Sequence, residues 1–459
     1  MHRLVVGVLV ALGSLLLPVP SAVALTATTT TLAASSAYAG EHSTLEIDLA
    51  TGDGTELQDA PVTVERLLGG SWTTVATLTT DAEGHATGSA WLSRNPDRNV
   101  FRARYAGDAT HDPSRSGDVT ARLLRRSGRV TLGGPDRIVD ESSVRLTTRW
   151  QTTEGEPVAG RVMVYRRVPG GAWARVRTVG TGADGVVALR IKPRVDTIWT
   201  ARARPLTWVT GDRSGDHAVD NVPRMAPVRL PAAAPRPRIS LPAQSRARRS
   251  GPHVVVSRIP DRMWRHMVGR SWHRGCPVGR SGLRLVRANY WAYDGYRRRG
   301  ELVVSAGAAT QFVRALRAQH RLRLPVRSMY RVDRFGWSDR LRGADDYESM
   351  AAGNTSAFNC RSVVGRPGVR SPHSYGRSFD INPWENPYRS RDGWVPNTWW
   401  VSRSHDQVAW RNRSHLRVRM MADAGFAWTY GVNDAHHFDA RTSSGRVLLR
   451  GTCDAVACD

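Results

Sequence analysis

Two histidines and an aspartate stand at spacings that could hold a metal ion. His373 and Asp380 lie in Ser371-Pro-His-Ser-Tyr-Gly-Arg-Ser-Phe-Asp380, and His437 lies in Asp434-Ala-His-His-Phe-Asp439. Two imidazoles and one carboxylate suit Zn2+ and leave one tetrahedral position for water, which is what a hydrolytic centre needs. Asp434, three residues before His437, is a carboxylate placed to take the proton of that water. His436 competes with His437 for the third ligand position.

Residues so far apart need a folded frame. Beyond about residue 253 the chain reads as mixed α and β. Leu302–Ser305 and Pro325–Tyr330 read as short strands, and Ala308–His320 as an amphipathic helix. Leu416–Ala424 has helical spacing, with Gly425 as its stop. Before this region lies a repeat with a period near 100 residues. Val62-Thr-Val-Glu-Arg66, Gly69-Gly-Ser-Trp72 and Gly84 return as Val162-Met-Val-Tyr-Arg166, Gly170-Gly-Ala-Trp173 and Gly185. Short alternating runs between Gly and Asp turns predict two all-β sandwiches of immunoglobulin-like size, at 25–125 and 126–222. Neither contains cysteine, so each must be held by its apolar core. Residues 223–252 carry seven prolines, seven arginines and no acid. Proline stiffness and charge repulsion predict a semi-rigid exposed linker there.

The chain begins with Met1-His-Arg3, an apolar run from Leu4 to Leu17, and Ala22-Val-Ala24. That pattern predicts a cleaved signal peptide over residues 1–24 and a secreted or wall-associated protein. The run is short for a bilayer span, and none of that length follows, so no membrane span is expected in the mature protein. The net charge of +26 is almost wholly arginine, Lys192 being the one lysine. Such an excess suits anionic cell-wall polymers or a merely solvated basic surface; for an exported chain, nucleic acid is not an expected partner. Cys276, Cys360, Cys453 and Cys458 form an even set without a Cys-x2-Cys pair, which favours disulfides over a zinc site. Cys453 and Cys458 can close a small loop, which leaves Cys276 to meet Cys360.

Gly275-Cys-Pro-Val278, Tyr290-Trp291, Gly300-Glu-Leu-Val-Val304 and Thr355-Ser-Ala-Phe-Asn-Cys-Arg361 are followed by the His373–Asp380 motif, Ile381-Asn-Pro383, Asn386-Pro-Tyr388 and Asp434-x-x-His-Phe438. This ordered set resembles the D-alanyl-D-alanine carboxypeptidase / L-alanyl-D-glutamate endopeptidase family of zinc peptidases, whose fold is shared with the signalling domain of hedgehog proteins. The resemblance covers about residues 253–445 and implies an α+β zinc domain over 253–459. It selects His437 as the third ligand, implies Asp434 as general base, and leaves His436 either supporting the ligands or on the substrate side. Substrates of that family are peptidoglycan stem peptides bearing carboxylates, which arginine binds through paired donors. Arg361 is the first choice for that contact and Arg331 the second, while Ser371 either bonds substrate or shapes its turn. The bond cut is a terminal D-Ala-D-Ala bond or an internal L-Ala-D-Glu bond. A different class of reading, a non-catalytic wall-binding protein with a structural zinc, stands against an intact Asp434.

Overall fold

The computed structural model describes residues 24–447. The expected signal peptide, apart from Ala24, and the expected Cys453–Cys458 loop lie outside them. No helix among the described residues is long and apolar enough to cross a membrane. The chain divides into two compact units. One takes in residues up to Asp136, Val144–Ile191 and Thr197–Val219; the other takes in Arg137–Ser143, Lys192–Asp196 and everything from Asp220.

The first unit is all β and contains both repeats. In the first repeat the strands Thr28–Ala34, His42–Thr51 and His85–Trp91 form an antiparallel sheet with the longest strand central. A second sheet is built on Ser71–Thr79, Pro61–Leu68 and Val100–Tyr105. Alternation along each strand turns Leu45, Ile47 and Leu49 towards Val62, Val64, Phe101 and Tyr105 in one apolar core. The second repeat repeats the plan. Gly128–Gly133, Val144–Thr152 and Val186–Ile191 form the three-stranded sheet. Arg161–Arg167 pairs with Ala174–Gly180 and with Thr197–Ala203 in the other. Its core gathers Trp150, Val158, Val162, Ala201 and Val209.

The second unit mixes short helices with short sheets. Val255–Ser257, Leu283–Trp291 and Arg297–Ser305 form an antiparallel sheet, and the helix Ala309–Arg321 buries Phe312, Ala315 and Leu316 in the same core as Val286, Ala288 and Val304. That helix and Leu416–Asp423, stopped at Gly425 with φ +93°, agree with the spacing of their apolar residues. Pro325–Tyr330 differs: it joins no ladder, apart from a single bridge at Ser328. Pro325 has no donor to give, and the following amides find scattered partners, Val326 in the Trp291 carbonyl at 2.8 Å and Met329 in the Gln244 side chain at 2.8 Å.

Residues 223–252 differ as well: many of their side chains stay exposed, but the segment is tied to this unit rather than running free of it. Gln244 is 8% exposed; its Nε2 donates to the Met329 carbonyl at 2.9 Å, and its Oε1 accepts from Met329 N and from the Tyr290 hydroxyl at 2.7 Å. Further along, the Trp384 indole donates to the Pro235 carbonyl at 2.8 Å, and Arg246 bridges Arg298. Proline and arginine composition speaks for an extended backbone, which a domain surface can line as readily as solvent can.

Candidate metal centre

His373 sits in the short 3-10 turn Pro372–Tyr375, and Ser371 caps it, its Oγ accepting from His373 N at 3.3 Å. The turn closes on Gly376, whose φ is +65° and where a Cβ would stand 2.7 Å from Ser305 N. A side chain there would push the first candidate ligand away from the strand it rests on. Asp380 ends the strand Ser378–Asp380, which pairs with His437–Ala440 in the register Asp380↔His437, Phe379↔Phe438, Ser378↔Asp439. Directly opposed residues share a face of the sheet, so Phe379 and Phe438 enter the apolar core. Asp380 and His437 meet on the other face.

Three candidate ligand groups thus converge. His373 Nε2 lies 3.0 Å from Asp380 Oδ2, His437 Nδ1 lies 3.1 Å from Asp380 Oδ1, and the two ring nitrogens are 3.1 Å apart. The outer nitrogens decide what the inner ones present. His373 Nδ1 faces the Ala357 carbonyl at 2.6 Å; a carbonyl only accepts, so that nitrogen holds the hydrogen of the neutral ring. His437 Nε2 faces Asp439 Oδ1 at 3.0 Å and donates to it. Each ring therefore turns a lone pair inward, beside a carboxylate. These lone pairs repel one another unless a cation lies between them, and nitrogen–nitrogen–oxygen donors backed by a carbonyl and a carboxylate fit Zn2+.

Asp439 is fixed in turn by Ser378 Oγ and Thr429 Oγ1, each at 2.7 Å. Burial pushes its carboxyl up, but the His437 ring and the two hydroxyls outweigh this and hold it below its ordinary range. Tyr430 lays its ring 5.2 Å from that of His437. Asp434 Oδ2 lies 3.9 Å from His437 Nδ1, and Asp434 Oδ1 lies 3.3 Å from His436 Nε2. His436 Nδ1 donates to the Asn386 carbonyl at 2.7 Å, so its other nitrogen points towards Asp434 and, at 3.7 Å, towards Asp380. All of these ionisable side chains are buried: His373 is 1% exposed, Asp380 2%, and Asp434, His436 and His437 0%.

The structure brings together His373, Asp380, His437, Asp434, His436 and Ser371. Arg361 and Arg331 stand differently. Arg361 lies alongside the His373 turn, its carbonyl accepting from Ser371 N at 3.0 Å, but its guanidinium pairs with buried Asp346 at 2.7 Å. Arg331 pairs with Asp333 at 3.0 Å, and Asp333 also meets His266 at 2.7 Å. Cys276 and Cys360 form a disulfide, which ties the start of the domain to the residue before Arg361. That bond also excludes the neighbouring His273, Cys276 and Cys360 as a metal site, since neither sulfur is free to ligate. Of the residues that orient the candidate ligands, Asp439 was left open by the sequence between a supporting role and the surface, and Ser378, Thr429 and the Ala357 carbonyl were not singled out. A period of two across Ser378-Phe-Asp380 and His437-Phe-Asp439 was the signal for the first two.

The site is built as a hydrolytic metal centre would be. A family model described as D-alanyl-D-alanine carboxypeptidase matches residues 364–440, the stretch that carries His373, Asp380, Asp434 and His437. The C-terminal region is therefore similar to a family of peptidases. No curated protein matches the chain. Among solved structures, the crystal structure of a tetra-tandem repeat in the extending region of a large adhesion protein is similar at 12% identity and a TM-score of 0.28, over 61% of this chain and 63% of that one.

Proposed function

We propose that this chain is an exported zinc peptidase that hydrolyses stem peptides of peptidoglycan, with two immunoglobulin-like modules ahead of the catalytic domain. The observation that carries the reading is the convergence of His373, Asp380 and His437 with the carboxylate of Asp434 beside them. His373, Asp380 and His437 would hold the metal. Zinc, when bound, supplies a Lewis acid that polarises a carbonyl and acidifies water. Asp434 takes the proton of the attacking water and passes it to the departing amine. Asp439 keeps His437 in the tautomer that turns Nδ1 inward, and the Ala357 carbonyl does the same for His373 Nε2. Arg361, beside the His373 turn, is our choice for the carboxylate of the substrate, reached by exchange with Asp346.

Near-complete burial of the cluster favours a second reading, a wall-binding protein in which the metal is structural. Incubation of the zinc-loaded protein with purified muropeptides, followed by mass analysis, separates the two. Loss of one alanine marks a carboxypeptidase, and release at L-Ala-D-Glu marks an endopeptidase. Tight binding with no product on any muropeptide would leave only the structural reading.

A further inference from the structure

The two β repeats share one register but expose opposite surfaces. In the first, the sheet Thr28–Ala34, His42–Thr51, His85–Trp91 shows solvent Thr29, Thr44, Asp48 and Ser89 among its outward residues. They belong to a self-satisfied face: Asp48 accepts from Thr31 Oγ1 at 2.9 Å and meets His85, and Ser89 meets His42 at 3.1 Å. In the second repeat, the positions matched by the ladder are Arg129, Arg145, Arg149 and Arg190, all exposed. The cross-strand pair Thr44↔Ser89 has become Arg145↔Arg190.

Like charges set directly opposite each other on a sheet destabilise it. Arg145 and Arg149, four residues apart on one strand, place positive charge along roughly 13 Å of it. Arg129 extends the patch onto the neighbouring strand. The outward positions between them are Thr131, Thr147 and Ala188, so no acid lies within the patch. Arg129, Arg145 and Arg149 form no ion pair among the described residues, whereas Arg102, Arg167 and Arg213 of the same unit each meet a carboxylate within 3.1 Å. A merely arginine-rich composition would be expected to load both repeats alike; here four matched positions differ together.

We propose that this face of the second sandwich is a docking surface for a linear phosphodiester polymer without bases, such as a polyol-phosphate chain. Guanidinium binds phosphate through paired charge-assisted donors, and a cluster of arginines spread over three neighbouring strands gives affinity without reading a sequence. Single-stranded nucleic acid is disfavoured because no aromatic side chain lies on the face to stack a base.

The test uses the full chain with poly(glycerol phosphate) as probe and single-stranded and duplex DNA as comparison arms. One variant carries Arg129→Thr, Arg145→Thr, Arg149→Thr and Arg190→Ser, residues that the homologous face tolerates or resembles. A control of equal charge carries Arg104→Thr, Arg122→Thr, Arg175→Thr and Arg177→Thr, all exposed and off the face. Far-UV circular dichroism and thermal melting check that both fold. The face variant is expected to bind the polymer at least about tenfold more weakly, and its slope of log affinity against log salt is expected to fall by about 3, while the control stays within about twofold. Equal losses in the two variants would mean that net charge alone binds. Tighter binding of either DNA, lost in the same variant, would make the face a nucleic-acid surface. No binding by the unaltered protein would also overturn the proposal.

Discussion

At the residue scale the site is defined by what each nitrogen and oxygen can still do once its neighbours are satisfied. Asp434 lies beside His437 Nδ1, where a carboxylate can take a proton and an amide cannot. Asp434→Asn is therefore expected to keep the fold and the zinc while turnover on muropeptides falls by at least about a hundredfold. Metal analysis beside the kinetics makes the result readable, and a change near twofold at full occupancy would mean another group is the base. Asp439 acts through His437 rather than on substrate. Asp439→Asn weakens the acceptor that holds the ring, so zinc affinity is expected to drop about 10- to 100-fold in competition with a chelating dye. The convergence of His373, Asp380, Asp434 and His437 was legible because few residue types can ligate a metal or take a proton, and each stands in a short motif. The partners of Arg361 and Arg331 were not. An arginine's spacing says nothing about which buried aspartate, Asp346 or Asp333, folding will bring to it.

At the scale of elements, two short segments deliver the candidate ligands. The turn that bears His373 depends on Gly376, whose positive φ and close approach to Ser305 leave no room for a methyl group. Gly376→Ala is expected to cost about 1–3 kcal/mol, read by urea unfolding, and to lower zinc occupancy with it. The helices were legible because a period of 3.6 recurs over many residues, and Ala309–Arg321 and Leu416–Asp423 fall where that period places them. The sandwiches were legible through repetition, since the same turns and the same tryptophan return in each copy. Pro325–Tyr330 was misread because a short apolar run carries too little signal to say whether its amides meet a neighbouring strand or isolated partners such as Gln244.

At the scale of the molecule, the Pro/Arg segment is the largest departure from what its composition suggests. Gln244 alone closes three hydrogen bonds inside the C-terminal unit. Gln244→Ala strands the Met329 amide and the Tyr290 hydroxyl, and is expected to destabilise that unit by roughly 2–4 kcal/mol in denaturant titration. Stability should also fall with acid. Burial, aided by the Arg297 charge, pushes His320 down to about 4. The unfolded chain takes up that proton near pH 6.5, its ordinary value, and the folded chain only near 4, so the unfolded state gains protons first as pH drops across that window. Melting temperature is expected to decline between those values, and less so in His320→Gln. The pairing of Asp380 with His437 has one more consequence. His373 and His437 lie 64 positions apart, and the second stands in the last strand of the described fold. A chain still being synthesised, or one clipped by a protease ahead of Asp434, holds two ligands of three and lacks the carboxylate at position 434. On the proposed function, hydrolysis would therefore start only once the strand His437–Ala440 has been made and docked, and a copy trimmed ahead of Asp434 would be inert.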